Sequence, residues 1–218
     1  SERMALEQRK DDFIATASHE LKTPLTSLKV FTEVLRQSPE LQQQPKVLRY
    51  LQRMQLEIDR LTQLVYDLLD LSRIQRGQLP LRRQTTNLNQ LITEVVQSLQ
   101  PTFKHQIVVQ FAAPLTVSVD KHRFTQVLTN LLTNATKYSP DADRVVVFTK
   151  LDQDAAIIGV QDFGIGIAEQ YLPLIFQRFF RVFDERDRTF PGLGMGLFIA
   201  KNIVEKHGGQ LWVESKLH

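Results

Sequence analysis

A histidine, an acid directly after it and a threonine one helical turn on stand together in Ser18-His19-Glu20-Leu21-Lys22-Thr23-Pro24. Placing Ile14 and Leu21 on one heptad row puts His19 opposite the apolar seam, facing water. An exposed imidazole beside a carboxylate can serve as a nucleophile. A hydrogen bond to one ring nitrogen fixes the tautomer and leaves the other lone pair free. Thr23 shares the helical face of His19. Pro24 removes a backbone N–H, frees the Glu20 carbonyl and kinks the helix just past the histidine. No second histidine or acid stands at His-x-x-x-His spacing and the chain has no cysteine, so a metal at His19 is a weak reading.

A second group lies far along the chain. Asn130 and Asn134 are four apart on one face of a helix, and asparagine is a middling helix former, so two aligned amides suggest a task. Octahedral Mg²⁺ that keeps waters and phosphate oxygens suits them, and Lys137 one turn on supplies a point charge for phosphate. Asp162-Phe163-Gly164-Ile165-Gly166-Ile167 sets an acid at a strand end and two glycines where backbone must turn or approach a ligand closely. Gly192-Leu193-Gly194-Met195-Gly196 opens an amphipathic helix whose free N–H groups can receive phosphate. It is not a dinucleotide fingerprint, because Leu197 fills the last glycine position and a charged loop precedes it. Likewise Asp-Phe-Gly lacks the His-Arg-Asp and strand lysine of protein kinases. Taken singly, these motifs have ordinary explanations: a solvated histidine, a flexible loop, a polar helix face.

The elements that position these residues follow from periodicity. From Met4 to Ile74 there is no glycine, and prolines fall only at 24, 39 and 45, which gives two long helices joined near Ser38 to Pro45. Ile14, Leu21, Leu28 and Leu35 form one row of the first helix and Ala17, Pro24 and Phe31 the other. In the second, Leu51, Ile58 and Val65 alternate with Met54, Leu61 and Leu68. A lone hairpin has little interior, so two copies packing as a dimeric four-helix bundle are expected. Gln75 to Leu88 loses the heptads and gains Gly and Pro, reading as a linker. Then come a helix over Asn89 to Phe103, short strands at Ile107 to Phe111 and Thr116 to Val119, and a helix over Phe124 to Tyr138. Strands at Val145 to Leu151 and Ala155 to Gln161, helices near Ala168 to Phe179 and Gly196 to His207, and a last strand over Leu211 to Glu214 complete the series. The fold class expected is α+β: an N-terminal antiparallel helical hairpin, residues 1–75, a hinge over 76–88, and an α/β two-layer sandwich over 89–218.

Composition sets outer bounds. Of 218 residues, 42% are hydrophobic and 23% charged, enough apolar mass to bury a core. The 27 basic and 24 acidic residues are interspersed, and phenylalanine supplies most aromatics, so no basic stripe for nucleic acid stands out. The absence of cysteine excludes disulfides and thiolate chemistry and suits a reducing compartment. No apolar run of ~18 residues is present, so no membrane contact by these residues and a cytoplasmic location are expected, with an anchor or sensor domain able to lie upstream.

Together the motifs resemble the transmitter core of sensor histidine kinases of two-component systems. Phe13 to Leu25 looks like the family's H box, Asn130 to Tyr138 its N box, Asp162 to Ile167 its G1 box, Phe176 to Phe180 its F box and Gly192 to Gly196 its G2 box, in the family's order. The resemblance implies that His19 is the phosphoacceptor, with Glu20 as general base or orienter, on a dimerisation and phosphotransfer hairpin followed by a Bergerat-type ATP-binding domain. It further implies that Asp162 bonds the adenine amino group, that Asn134 supported by Asn130 holds Mg²⁺, and that Lys137 and Tyr138 line phosphate and adenine. Gly164, Gly166, Gly192, Gly194 and Gly196 would flank a mobile lid, and Arg178 and Arg181 would reach the γ-phosphate. Phosphohistidine would pass its group to an aspartate of a response regulator, and Thr23 would position water when the regulator is dephosphorylated. Two departures stand out: Met195 replaces the usual leucine, and the family's last glycine turn and strand are expected to be missing after Ser215. Rival readings are a docking and phosphatase module with weak kinase activity, or an ATPase clamp of the wider Bergerat class.

Overall fold

The computed structural model describes residues 21–153, 155–182 and 193–217. It divides into two compact units between Leu79 and Pro80.

In the first unit, residues 21–37 form helix α1, Pro39–Gln42 the short α2 and Pro45–Gln75 the long α3. Prolines open α2 and α3, where a missing N–H costs no hydrogen bond. At the far end of α3, Gly77 takes φ +66°. There the Gly77 N–H donates to the Ile74 carbonyl and the Gln78 N–H to the Arg73 carbonyl, both at 2.9 Å. This pair of bonds is a Schellman stop, and it lies within the stretch expected to act as a hinge.

The Lys22 ammonium sits over the Tyr66 ring, and Lys29 Nζ pairs with Asp59 at 2.6 Å, so α1 and α3 run antiparallel. Leu25, Val65 and Leu69 form a small core, and Leu51 and Ile58 continue its row. The other rows stay open: Leu21, Leu28, Leu35, Met54 and Leu61 are each about half exposed, and Leu21, Leu28 and Leu61 line an apolar groove of about 260 Å³ together with Pro24, Leu25 and Leu64 among others.

On α3, burial pushes the Asp67 carboxyl up to about 6, opposed by the Gln63 amide 2.8 Å away and assisted by the nearby charge of Asp70. A carboxyl raised in the folded state stabilises fully below its unfolded value of ~3.9, and that contribution is lost as pH rises through about 6. Asp67→Asn is therefore expected to leave stability unchanged near pH ~4 and to raise it by roughly 1–2 kcal/mol near pH ~7.5, allowing for partial solvent screening. Urea unfolding at the two pH values measures it.

The second unit orders β1 (Gln84–Asn87), α4 (Leu88–Leu99), β2 (Gln106–Phe111), β3 (Thr116–Val119), α5 (Lys121–Lys137), β4 (Arg144–Asp152), β5 (Ala155–Gln161) and α6 (Gly196–Lys206). Strands β2, β4 and β5 form one sheet, with β2 parallel and β5 antiparallel to β4; β1 and β3 pair antiparallel apart from it. Alternation along β4 turns Val145, Val147 and Thr149 inward. There Val145 and Val147 meet Leu91, Ile92 and Val95 of α4 and Leu128, Leu132 and Ala135 of α5, a helix layer on a sheet layer as expected. Helix α6 joins that layer through Ile199, Ala200 and Ile203, all fully buried.

Asp120 caps α5: one carboxylate oxygen accepts the Arg123 N–H at 3.0 Å and the other the Arg82 N–H at 2.7 Å. Burial opposes its charge, but these backbone bonds, with Arg123 and His122 nearby, hold the carboxyl below the usual range. The Asp120 N–H in turn donates to His207 Nε2 at 2.9 Å, and His207 Nδ1 donates to the Ile203 carbonyl at 2.7 Å. The ring thus ties the start of α5 to the end of α6, with Phe124 edge-on against it. His207→Phe is expected to cost about 1–3 kcal/mol by leaving the Asp120 N–H without an acceptor. Equilibrium urea unfolding tests this.

Three expectations are corrected. Residues 168–179 are a 3-10 turn at Glu169–Tyr171 followed by further turns rather than a helix, because Pro173 interrupts them and most of the N–H groups, Ile175 aside, reach back three residues. Residues 84–87, expected in the linker, form β1; their run of polar residues hides a strand that buries only Thr86. Leu211 to Glu214 carries no ladder among the described residues, although its exposure alternates as a strand's does.

Candidate functional site

The polar face of α5 is where the second unit's distant motifs meet. Asn130, Asn134 and Lys137 follow at helical spacing on the side away from Leu128, Leu132 and Ala135. Asn130 Nδ2 donates to the Gly196 carbonyl at 3.2 Å, which joins this face to the first turn of α6. The residue before that turn, Met195, offers no capping side chain and is itself buried. The first N–H groups of α6 lack helical acceptors, an arrangement suited to an anion. Lys137 Nζ lies 3.0 Å from the Tyr138 hydroxyl and over its ring, bringing a cation and an aromatic together at the helix end.

Asp162 follows β5 and is exposed, and its carboxylate is oriented from two sides. The Gly164 N–H donates to Asp162 Oδ1 at 3.0 Å and the Ser139 hydroxyl donates to the same oxygen at 3.3 Å. The turn after it is pressed onto α5: the Ile165 N–H donates to the Tyr138 carbonyl at 3.2 Å. A β-carbon at 164 would collide with the Tyr138 carbonyl and approach Ser139 Oγ to 2.6 Å. Gly166, at φ +72°, lies against the Lys216 carbonyl, and the Ile167 N–H donates to Ser215 Oγ at 3.0 Å. Gly164 and Gly166 thus sit at close backbone crossings rather than in open loop. Gly194, at φ +67°, faces the Phe180 carbonyl, and its own carbonyl accepts the Phe179 N–H at 3.1 Å. Phe179 itself has φ +63°, strained for a side chain of that size. Arg178 is exposed on the same turn, and Arg181 passes beside Gly194.

One unit therefore brings together Asn130, Asn134, Lys137, Tyr138, Asp162, Gly164 and Gly166, and in it the turn carrying Arg178 and Arg181 meets Gly194. Gly192, His19 and Glu20 lie outside the described residues. Thr23 is exposed on α1 in the first unit. Among the described residues no three His, Cys, Asp or Glu side chains cluster to hold a metal ion, and no helix is long and apolar enough to cross a membrane. Ser139 was not among the sequence candidates, although a hydroxyl between the helix end and Pro140 is the kind of group that bonds back to a neighbouring turn.

Two family matches cover most of the chain. Residues 9–77 match the His Kinase A (phospho-acceptor) domain, and residues 119–218 match the histidine kinase-, DNA gyrase B- and HSP90-like ATPase. The sensor histidine kinase WalK of Bacillus subtilis is 32% identical over 99% of this chain and 36% of its own length. The phosphate regulon sensor protein PhoR of Pseudomonas aeruginosa is 32% identical over 96% of this chain and 48% of its own. The chain thus spans between a third and a half of these curated relatives. Among solved structures, full-length ShkA in complex with AMPPNP superposes with a TM-score of 0.75 at 26% identity, over 94% of this chain and 43% of that one. The mycobacterial sensor histidine kinase MprB gives a TM-score of 0.54 at 31% identity, over 61% of this chain and 85% of that one.

Proposed function

Since the chain belongs to the sensor histidine kinases of two-component systems, we propose that it transfers the γ-phosphoryl group of ATP to His19 and from there to an aspartate of a response regulator. A single observation carries this reading: one chain holds both a phospho-acceptor match, over residues 9–77, and an ATPase match, over residues 119–218. An ATPase clamp has no use for the first, and a pure docking module has none for the second.

In this reading Asp162 accepts a hydrogen bond from the adenine amino group. Lys137 and Tyr138 flank phosphate and base, and the free N–H groups at the start of α6 take phosphate oxygens. Arg178 and Arg181 meet the terminal phosphate. The paired amides suit Mg²⁺, an ion that keeps several waters and takes few protein ligands, so Asn134 would hold it with Asn130 in support. When bound, Mg²⁺ supplies neutralisation of charge on the phosphate oxygens. Asn130 already spends its NH₂ on Gly196, which leaves an amide oxygen as its acceptor atom.

The His19 lone pair attacks the γ-phosphorus in line. The P–N bond forms as the bond to the ADP oxygen breaks, and Glu20 orients the ring and takes its proton. Phosphoryl transfer asks little more of a protein than positioning and charge neutralisation. Nucleophile and nucleotide can therefore reside on separate units joined by the segment after the Gly77 stop. Thr23 positions water in the reverse task of regulator dephosphorylation. The half-exposed rows Leu21, Leu28, Leu35, Met54 and Leu61 support a homodimer, whose four-helix bundle would cover them.

Incubation with γ-labelled Mg-ATP tests the reading. Label that is acid-labile and alkali-stable, and that transfers to a receiver domain, is the expected result. Steady ATP hydrolysis with no phosphoprotein would overturn it in favour of the clamp.

A further inference from the structure

His105 is a buried imidazole that the proposed reaction does not use. It begins the approach to β2, and its backbone is clamped by one side chain. Gln100 Nε2 donates to the His105 carbonyl at 2.8 Å, while Gln100 Oε1 accepts the Ile107 N–H at 2.9 Å. The ring points to the end of α5, with Nε2 2.7 Å from the Ser139 carbonyl. A carbonyl can only accept, so Nε2 carries the proton and donates. That carbonyl also accepts the Ala142 N–H at 3.1 Å. Ser139 is 1% exposed, and Pro140 after it restricts its backbone further. A residue held this firmly presents its hydroxyl in one place, and the hydroxyl donates to Asp162 Oδ1.

We propose that His105, acting through Ser139, is a positioning residue for base recognition: the pair fixes the rotamer of the Asp162 carboxylate and so sets how sharply an exocyclic amino group is read. The proposal rests on the assignment of Asp162 to the adenine amino group made above. Without Ser139, the carboxylate of an exposed aspartate keeps, among the described residues, the Gly164 N–H alone as a tether and samples rotamers that do not face the base. Binding must then order the side chain, and that cost falls on the contact with the amino group alone. His105 contributes by fixing where Ser139 stands and touches no nucleotide itself.

The test titrates the full chain with ATP and with purine riboside 5′-triphosphate, which lacks the 6-amino group, in Mg²⁺ buffer. The unmodified chain is expected to prefer ATP by about tenfold or more, the discrimination that one hydrogen bond to a charged carboxylate supplies. Ser139→Ala and His105→Phe are expected to narrow that preference by about threefold or more, with affinity for the analogue kept within about twofold. Ser139→Thr, which keeps the hydroxyl, and His105→Gln, whose amide N–H replaces Nε2–H, should retain it. Absence of any preference in the unmodified chain overturns the role of Asp162 itself. A normal preference there that survives in Ser139→Ala overturns the positioning role alone. Equal loss of both nucleotides marks general damage at the site and also overturns it. Should His105→Phe fail to fold, the Ser139→Ala comparison decides.

Discussion

Glutamine in place of His19 is expected to leave the chain without acid-labile phosphate, label from Mg-ATP falling by at least about a thousandfold, while ATP affinity stays within about twofold. The amide keeps the length and polarity of the side chain but offers no lone pair able to form a stable P–N bond, so only the nucleophile is removed. Nucleotide affinity is retained because the residues assigned to ATP all belong to the second unit. Three of the other four histidines sharpen the expectation, and His218 lies outside the described residues. His105 is buried with Nε2 committed to Ser139, and both ring nitrogens of His207 are engaged, by Asp120 and Ile203. His122 is exposed at the start of α5 and makes a suitable control: His122→Gln should label like the unmodified chain. Undiminished label in His19→Gln would place the acceptor elsewhere and remove the basis for the phosphotransfer reading.

Alanine at Gly166 is expected to abolish measurable ATP binding and to lower stability by roughly 3 kcal/mol or more, read by nucleotide titration and urea unfolding. Two costs add. A left-handed backbone costs a residue with a β-carbon roughly 1–2 kcal/mol. The new methyl group also lands on the Lys216 carbonyl, a backbone atom that cannot swing aside as a side-chain tip does. Relief requires the 164–167 turn to lift away from residues 215–217, and the turn carries Asp162 with it through the Gly164 N–H. Gly196 is the contrast. A β-carbon there meets Asn130 at an ordinary 3.5 Å, so Gly196→Ala should fold normally. If Gly166→Ala binds ATP as tightly as the unmodified chain, the turn is not part of the nucleotide site.

What could be read from the sequence divides by the range of the interaction. Local signals were sufficient for β3 and β5, whose bounds are those expected, and for the start of α6 at Gly196. The heptad row Leu51, Ile58 and Val65 is buried as its spacing implies. Gly164 and Gly166 were expected where backbone turns or nears a ligand, and Gly194 in a phosphate-receiving run, but only the fold shows the protein groups each lies against: Tyr138 for Gly164, Lys216 for Gly166, Phe180 for Gly194. Pro173 stood in plain view, and the apolar residues around it still read as a helix because periodicity does not register a missing N–H. β1 escaped notice because an edge strand that buries one threonine has no apolar pattern to detect. Ser139 and His105 were invisible for a different reason: 34 positions separate them, and only the packing of β2 beside the end of α5 makes them neighbours.

The half-open leucine rows on α1 and α3 have a consequence for how this molecule must be handled. A hairpin whose apolar flank is completed by its own duplicate, as in the homodimer proposed here, would obey mass action, so its melting point would become a property of the sample and not of the chain alone. Dilution loosens it and crowding its copies together tightens it. Inside a cell, the number of molecules made would then help decide how many hold their helices in register.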